Sequence, residues 1–117
     1  MGYLGKKAQF ETQRTFDTAS LSGTYQKIGT ALTNPSVMLK IKNLSTVAVI
    51  ISYDGTNDHE TYPAGSGDVM DFGSDAQGVS GDNRLAFPAG TQLWVKWTTA
   101  AAAGVGLVAV STVYAAG

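Results

Sequence analysis

Apolar side chains recur at every second position in this chain, and that period decides most of what it can become. In residues 36–43, Val37, Leu39 and Ile41 alternate with Met38, Lys40 and Lys42. Successive side chains of an extended strand point to opposite faces, so this run makes a strand with one apolar and one wet face. In residues 92–98, Leu93, Val95 and Trp97 share one face and Trp94 and Lys96 the other, while in residues 105–114 Val108, Val110 and Tyr114 fall on one side. The run Val47-Ala48-Val49-Ile50-Ile51 is apolar throughout, as in a strand covered on both faces. No stretch carries the 3.6-residue period of a helix. Residues 9–18, 24–30, 68–72 and 84–87 are weaker strand candidates.

Turn chemistry punctuates the strands. Asp54-Gly55, Gly65-Ser66-Gly67, Gly81-Asp82-Asn83 and Ala89-Gly90 separate them at short intervals. Asn43-Leu44-Ser45 is expected to join the first two strong runs as an antiparallel hairpin. A local echo places Tyr62-Pro63-Ala64-Gly65 before one strand and Phe87-Pro88-Ala89-Gly90 before another. Proline has no amide proton to donate and glycine accepts unusual turn angles, so both copies read as the same corner. Short strands with glycine turns predict an all-β fold: a single antiparallel β-sandwich, jelly-roll or immunoglobulin-like, with an extended N-terminal arm.

The length of 117 residues sets one domain, able to bury about two-thirds of its extended surface. No cysteine is present, so disulfides and thiolate metal sites cannot contribute. Residues 1–23 are polar with thinly spread apolar side chains. They are expected to form an N-terminal arm or an edge strand, separable from a sandwich domain at 24–117. An arm would need Phe10 and Phe16 covered by a neighbouring subunit.

Charge narrows the function classes. The net charge is −1, which gives no electrostatic footprint for nucleic acid. Charged residues make up 15% of the chain, leaving a surface that is easily dried against a partner. Residues 2–7 lack the apolar stretch of a secretory signal, and Lys6 stands where a myristoylation pattern wants Ser or Thr. Residues 100–117 carry no charge, but their Ala, Gly and alternating Val read as a buried terminal strand and not as a membrane span.

Few residues carry chemistry. The segment Asp54-Gly55-Thr56-Asn57-Asp58-His59-Glu60 gathers three carboxylates and the only histidine. Asp54, Asp58, His59 and Glu60 form a candidate ion or ligand loop, since hard cations want clustered oxygens. The spacing departs from the EF-hand pattern, and a solvated Asp-Gly turn accounts for the same residues. No Gly-x-Ser-x-Gly elbow exists, and the glycine-rich residues 73–81 lack the Lys and helix of a phosphate loop. The reading is therefore non-enzymatic, with no cofactor and no resident metal. From alternation alone, Phe10, Phe16, Met38 and Trp94 are the candidate interface residues. Trp94 with Tyr53, Tyr62 and the 54–60 loop makes an alternative surface for a carbohydrate or a receptor.

The succession Leu39-Lys40-Ile41-Lys42-Asn43-Leu44-Ser45, then Val49-Ile50-Ile51-Ser52-Tyr53-Asp54-Gly55, then the Pro-Ala-Gly corners and the strand Thr91-Gln92-Leu93-Trp94-Val95-Lys96, resembles small β-sandwich virion proteins of tailed bacteriophages. The resemblance spans roughly residues 36–114. It implies a virion component, made in the host cytoplasm, that decorates or cements the capsid or forms part of the head–tail joint. Its partners would be copies of itself and a capsid or portal-type protein, with neither nucleic acid nor membrane. The family offers no catalytic residue to carry over.

Overall fold

The computed structural model describes residues 7–71, 86–98 and 104–116. Nine strands follow in order: β1 (Lys7–Phe10), β2 (Arg14–Asp17), β3 (Gln26–Lys27), β4 (Met38–Ser45), β5 (Val49–Ser52), β6 (Glu60–Tyr62), β7 (Gly67–Asp71), β8 (Trp94–Trp97) and β9 (Gly106–Ala116). The first sheet centres on β9, with β1 and β2 along one edge, β4 on the other side and β7 beyond it. The second runs β3-β8-β5-β6. Every pairing is antiparallel.

With β1 and β2 counted as one interrupted edge strand, the pairings nest: β2 with β9, β3 with β8, β4 with β7, β5 with β6. A long antiparallel ribbon has been rolled up, and its two halves now face each other. This is the jelly-roll topology. The ribbon closes where β9 meets β4 and β8 meets β5.

Alternation works as the sequence dictates. Leu39 and Ile41 of β4, with Val108 and Val110 of β9, pack against Val49, Ile51, Tyr62 and Val95 of the second sheet. Leu21, Ile28 and Leu93 from the connecting segments complete the core. Trp97 lies on the inner face with Val95 and packs against this cluster. Among the described residues no helix is long and apolar enough to cross a membrane; most of the uncharged C-terminal stretch is β9.

One expectation changes and one open alternative is decided. First, β4 and β5 do not form a hairpin: they lie in different sheets, and residues 43–45 belong to β4 itself. The chain crosses between sheets just after Ser45, and the fully buried Asn43 holds the crossing. Its amide nitrogen lies 2.8 Å from Val47 O, 3.0 Å from Tyr62 O and 3.2 Å from Pro63 O, while its Oδ1 accepts from Ser45 N and Oγ. Second, from Lys7 onward the N-terminal segment is built into the sheet. Its β2 pairs Arg14–Asp17 with Val110–Leu107, and Arg14, Thr18 and Leu21 are buried. A 3-10 turn at Thr18–Ser20, capped by Asp17, carries the chain off this edge.

The Pro-Ala-Gly echo is one device used twice. Ser66 N and Oγ donate to Pro63 O at 3.1 and 2.8 Å, and Thr91 N and Oγ1 donate to Pro88 O at 3.2 and 2.7 Å. Gly65 and Gly90 sit at φ 75° and 91°, the left-handed third position that such a turn demands. Of the weaker strand candidates, residues 84 and 85 lie outside the described residues, and Phe87 makes only an isolated bridge to Ser36. The glycine-rich residues 73–81 also lie outside them.

Candidate interaction surfaces

The outer face of the first sheet carries a row of apolar side chains. Register places Phe10 beside Val113, and Val113 beside Met38, all pointing away from the core. Phe10 is 76% exposed. Further along the same face Leu44 and Val69 are exposed, and Val105 stands exposed just before β9. Lys40 and Lys42 rise between them from β4, and among the described residues neither takes part in an ion pair. Two of the four interface candidates, Phe10 and Met38, thus stand in one row, which the sequence could not show because Val113, on the strand between them, lies far along the chain from both.

Phe16 is a correction. It was expected to point outward, but register sets it opposite Val108 on the inner face, where it packs half-buried against the core. The fourth candidate, Trp94, lies on the outer face of the other sheet.

There the β5–β6 loop folds against β8. Trp94 pairs with Ser52, and the Asp54-Gly55 turn lies on its indole. A Cβ at Gly55 would come within 2.8–3.1 Å of three ring atoms, and its φ of 78° also favours glycine. Trp94 is therefore half-buried, with Lys27 Nζ 5.6 Å from its ring centre. Beside it Lys96 Nζ sits 4.7 Å from the Tyr25 ring and 3.1 Å from Asp58 Oδ1, and the Tyr25 hydroxyl donates to the same carboxylate.

The carboxylates of the loop do not gather around a common point. Asp54 accepts from Asn57 N and Thr56 N, both at 2.8 Å, and from Asn57 Nδ2 at 2.7 Å. These bonds hold its carboxyl well below the usual carboxylate range. Asp58 is lowered by the bonds from Tyr25 and Lys96. His59 Nε2 lies 3.9 Å from Asp54 Oδ2, while its Nδ1 accepts from Tyr53 N at 3.0 Å and its ring meets that of Tyr53. Glu60 lies in β6, paired across from Ile51. Among the described residues no group of three His, Asp or Glu side chains is arranged to hold a metal ion. Asp54 instead folds the loop itself by Asx-turn chemistry, and Asp58 ties the loop to Tyr25 and Lys96.

The alternative ligand surface is also dispersed. Tyr62 is a core residue at 6% exposure, and Tyr53 is half-buried between His59 and Phe87. Burial pushes the Tyr62 hydroxyl up to about 12 and the Tyr53 hydroxyl upward as well.

Sequence reasoning passed over one feature, a cleft of about 630 Å³ where the edge strand bends between β1 and β2. Glu11 and Arg14 form its floor as a buried ion pair at 2.7 Å, with side chains 8% and 7% exposed. Arg14 Nε donates to Thr30 O at 2.6 Å and Nη2 to Ala31 O at 3.0 Å; Glu11 accepts from Thr33 N, Asn34 N and Asn34 Nδ2. Burial would raise the Glu11 carboxyl, but the bonds from Arg14, Asn34 and Thr33 hold it below its ordinary value. The sequence signal was the Glu-x-x-Arg pair inside a polar strand, which is indistinguishable from a solvated pair until the 29–34 loop covers it. Compared with protein-family models, with curated proteins and with solved structures, the chain matches none.

Proposed function

We propose that this jelly-roll domain is a non-enzymatic structural protein of a bacteriophage virion, decorating or cementing the capsid or forming part of the head–tail joint through contacts with copies of itself and with a capsid or portal-type protein. The observation that carries this reading is the outer face of the first sheet, with the row Phe10–Val113–Met38 and the exposed Leu44, Val69 and Val105. The row Phe10–Val113–Met38 at one end of that face is an apolar patch of the kind that marks an interaction surface. The opposite outer face differs, because there Lys96, Asp58 and Tyr25 satisfy one another. Jelly rolls serve in both viral capsids and lectins, so topology supports an adhesive module of either kind and does not choose between them. The resemblance of residues 36–114 to phage virion proteins favours the capsid side. Repetition around a symmetric particle would make modest contacts cumulative.

Light scattering behind a sizing column tests the assembly surface. The wild-type protein is expected to run as a closed oligomer, and Phe10→Asp as a monomer with an unchanged far-UV circular dichroism spectrum. A wild-type monomer at every concentration, indistinguishable from Phe10→Asp and unable to co-sediment with capsid shells, would overturn the reading.

A further inference from the structure

We infer that the cleft at the β1–β2 bend is a binding site for a neutral saccharide. The cleft shares Phe10 with the assembly row, so the inference requires part of that ring to stay open in the oligomer, and Gln13, which lines the cleft but stands outside the row, separates the two readings. Its volume of about 630 Å³ falls within the range of small-ligand sites. The lining decides the chemical class. Thr12, Gln13, Thr15, Thr30 and Thr33 present exposed hydroxyl and amide groups around the opening. Phe10, on its rim, is the only large exposed aromatic among the described residues. Tyr114 lines the cleft as well, so polar groups and aromatic rings share its walls, a mixture that suits a ligand with both hydroxyl and C–H surfaces.

Charge excludes the other obvious class. The Arg14 guanidinium, which alone would invite an anion, is neutralised by Glu11 at 2.7 Å. The floor is thus polar without net charge. Hydroxyl and amide donors around one exposed ring suit a pyranose, whose C–H face stacks on the aromatic while its hydroxyls bond to the rim.

Two further atoms mark this end of the sandwich. Arg14 Nη1 is buried and has no hydrogen-bond partner among the described residues, and neither has Thr112 Oγ1, two positions from Arg14's cross-strand partner Val110 on the same face of β9. Buried polar atoms are normally satisfied, and among the described residues nothing completes the polar network at this end. The floor is nevertheless fixed, because Arg14 and Glu11 tie the 29–34 loop to the strand through backbone atoms. A site whose floor is held by such bonds is organised before its ligand arrives.

The test is an array of neutral and charged glycans, followed by an amide chemical-shift titration of the intact protein with the strongest neutral binder, up to about 10 mM, above the millimolar dissociation constants of weak complexes. The amides of Gln13, Thr15, Thr30 and Thr33 are expected to shift. Phe10→Ala, still folded by circular dichroism, should weaken binding about five- to tenfold, as expected for a lost stacking contact. Gln13→Ala should weaken it without altering the oligomer mass, which separates this site from the assembly surface. Trp94→Ala should leave it unchanged. The inference is overturned if no neutral saccharide shifts these amides, if only charged glycans bind, or if the shifts centre on Trp94.

Discussion

Asn43 shows how much one residue can hold. It occupies an inward position of β4 where the alternation of Leu39 and Ile41 calls for an apolar side chain. Its amide instead satisfies carbonyls from two crossings between the sheets, Val47 on one and Tyr62 and Pro63 on the other. Removing the amide takes one donor from each of these carbonyls and the acceptor from Ser45 N and Oγ, so Asn43→Ala should destabilise the fold by about 3 kcal/mol, read from urea denaturation. Tyr62 gives a pH prediction. Its hydroxyl is buried without a partner among the described residues, and its pKa is raised to about 12. The folded state holds this proton more tightly than the unfolded chain, where tyrosine titrates near 10. Its contribution is therefore complete below about pH 10 and lost as pH rises through about 12. Tyr25 and Tyr53 are raised too and act in the same sense. The melting temperature should fall across that window, and less steeply for Tyr62→Phe.

At the scale of elements, the structure chooses the edge strand over the arm for the N-terminal segment from Lys7 onward. Read as a polar arm, residues 1–23 should be removable with the domain intact. In the structure β2 covers the edge of β9, Leu21 and Thr18 are buried, and Arg14 anchors the 29–34 loop. Deleting residues 1–23 should therefore abolish cooperative unfolding; a truncated protein with a sharp thermal transition would show the segment to be dispensable. The sequence left arm and edge strand open because an edge strand of a sheet needs only one covered face, and here Arg14 and Glu11 supply much of that cover as a buried pair. The Asp54–Glu60 loop hid its role for a related reason. Carboxylates clustered in sequence look like ligands, but turn geometry points Asp54 at the N–H groups of Thr56 and Asn57, and Asp58 is taken by Tyr25 and Lys96.

For the whole molecule, the nested pairing means that strands far apart in sequence must meet. Arg14 aligns with Val110, Gln26 with Val95 and Met38 with Asp71. Closing such long loops costs entropy before the contacts form, so refolding should take milliseconds to seconds, as in other β-sandwiches. Stopped-flow tryptophan fluorescence would measure it, and a refolding phase of about 10 μs would contradict the nested order. The same topology creates the two outer faces. Phe10 and Met38 become neighbours only because β9 runs between β1 and β4.

The sequence by itself determined that the chain is all-β, where most strands run and which side of each faces inward. Those properties follow from a period of two residues and from the local demands of Pro-Ala-Gly turns. Tertiary structure decided the rest: the jelly-roll order over an immunoglobulin-like one, the crossing held by Asn43, the inward turn of Phe16, and the cleft over Glu11 and Arg14. Alternation is identical in either sandwich, because it records only that one face is buried and not which strand buries it. Pairing is chosen by the sum of long-range contacts, and it is the pairing that places residues together on a surface.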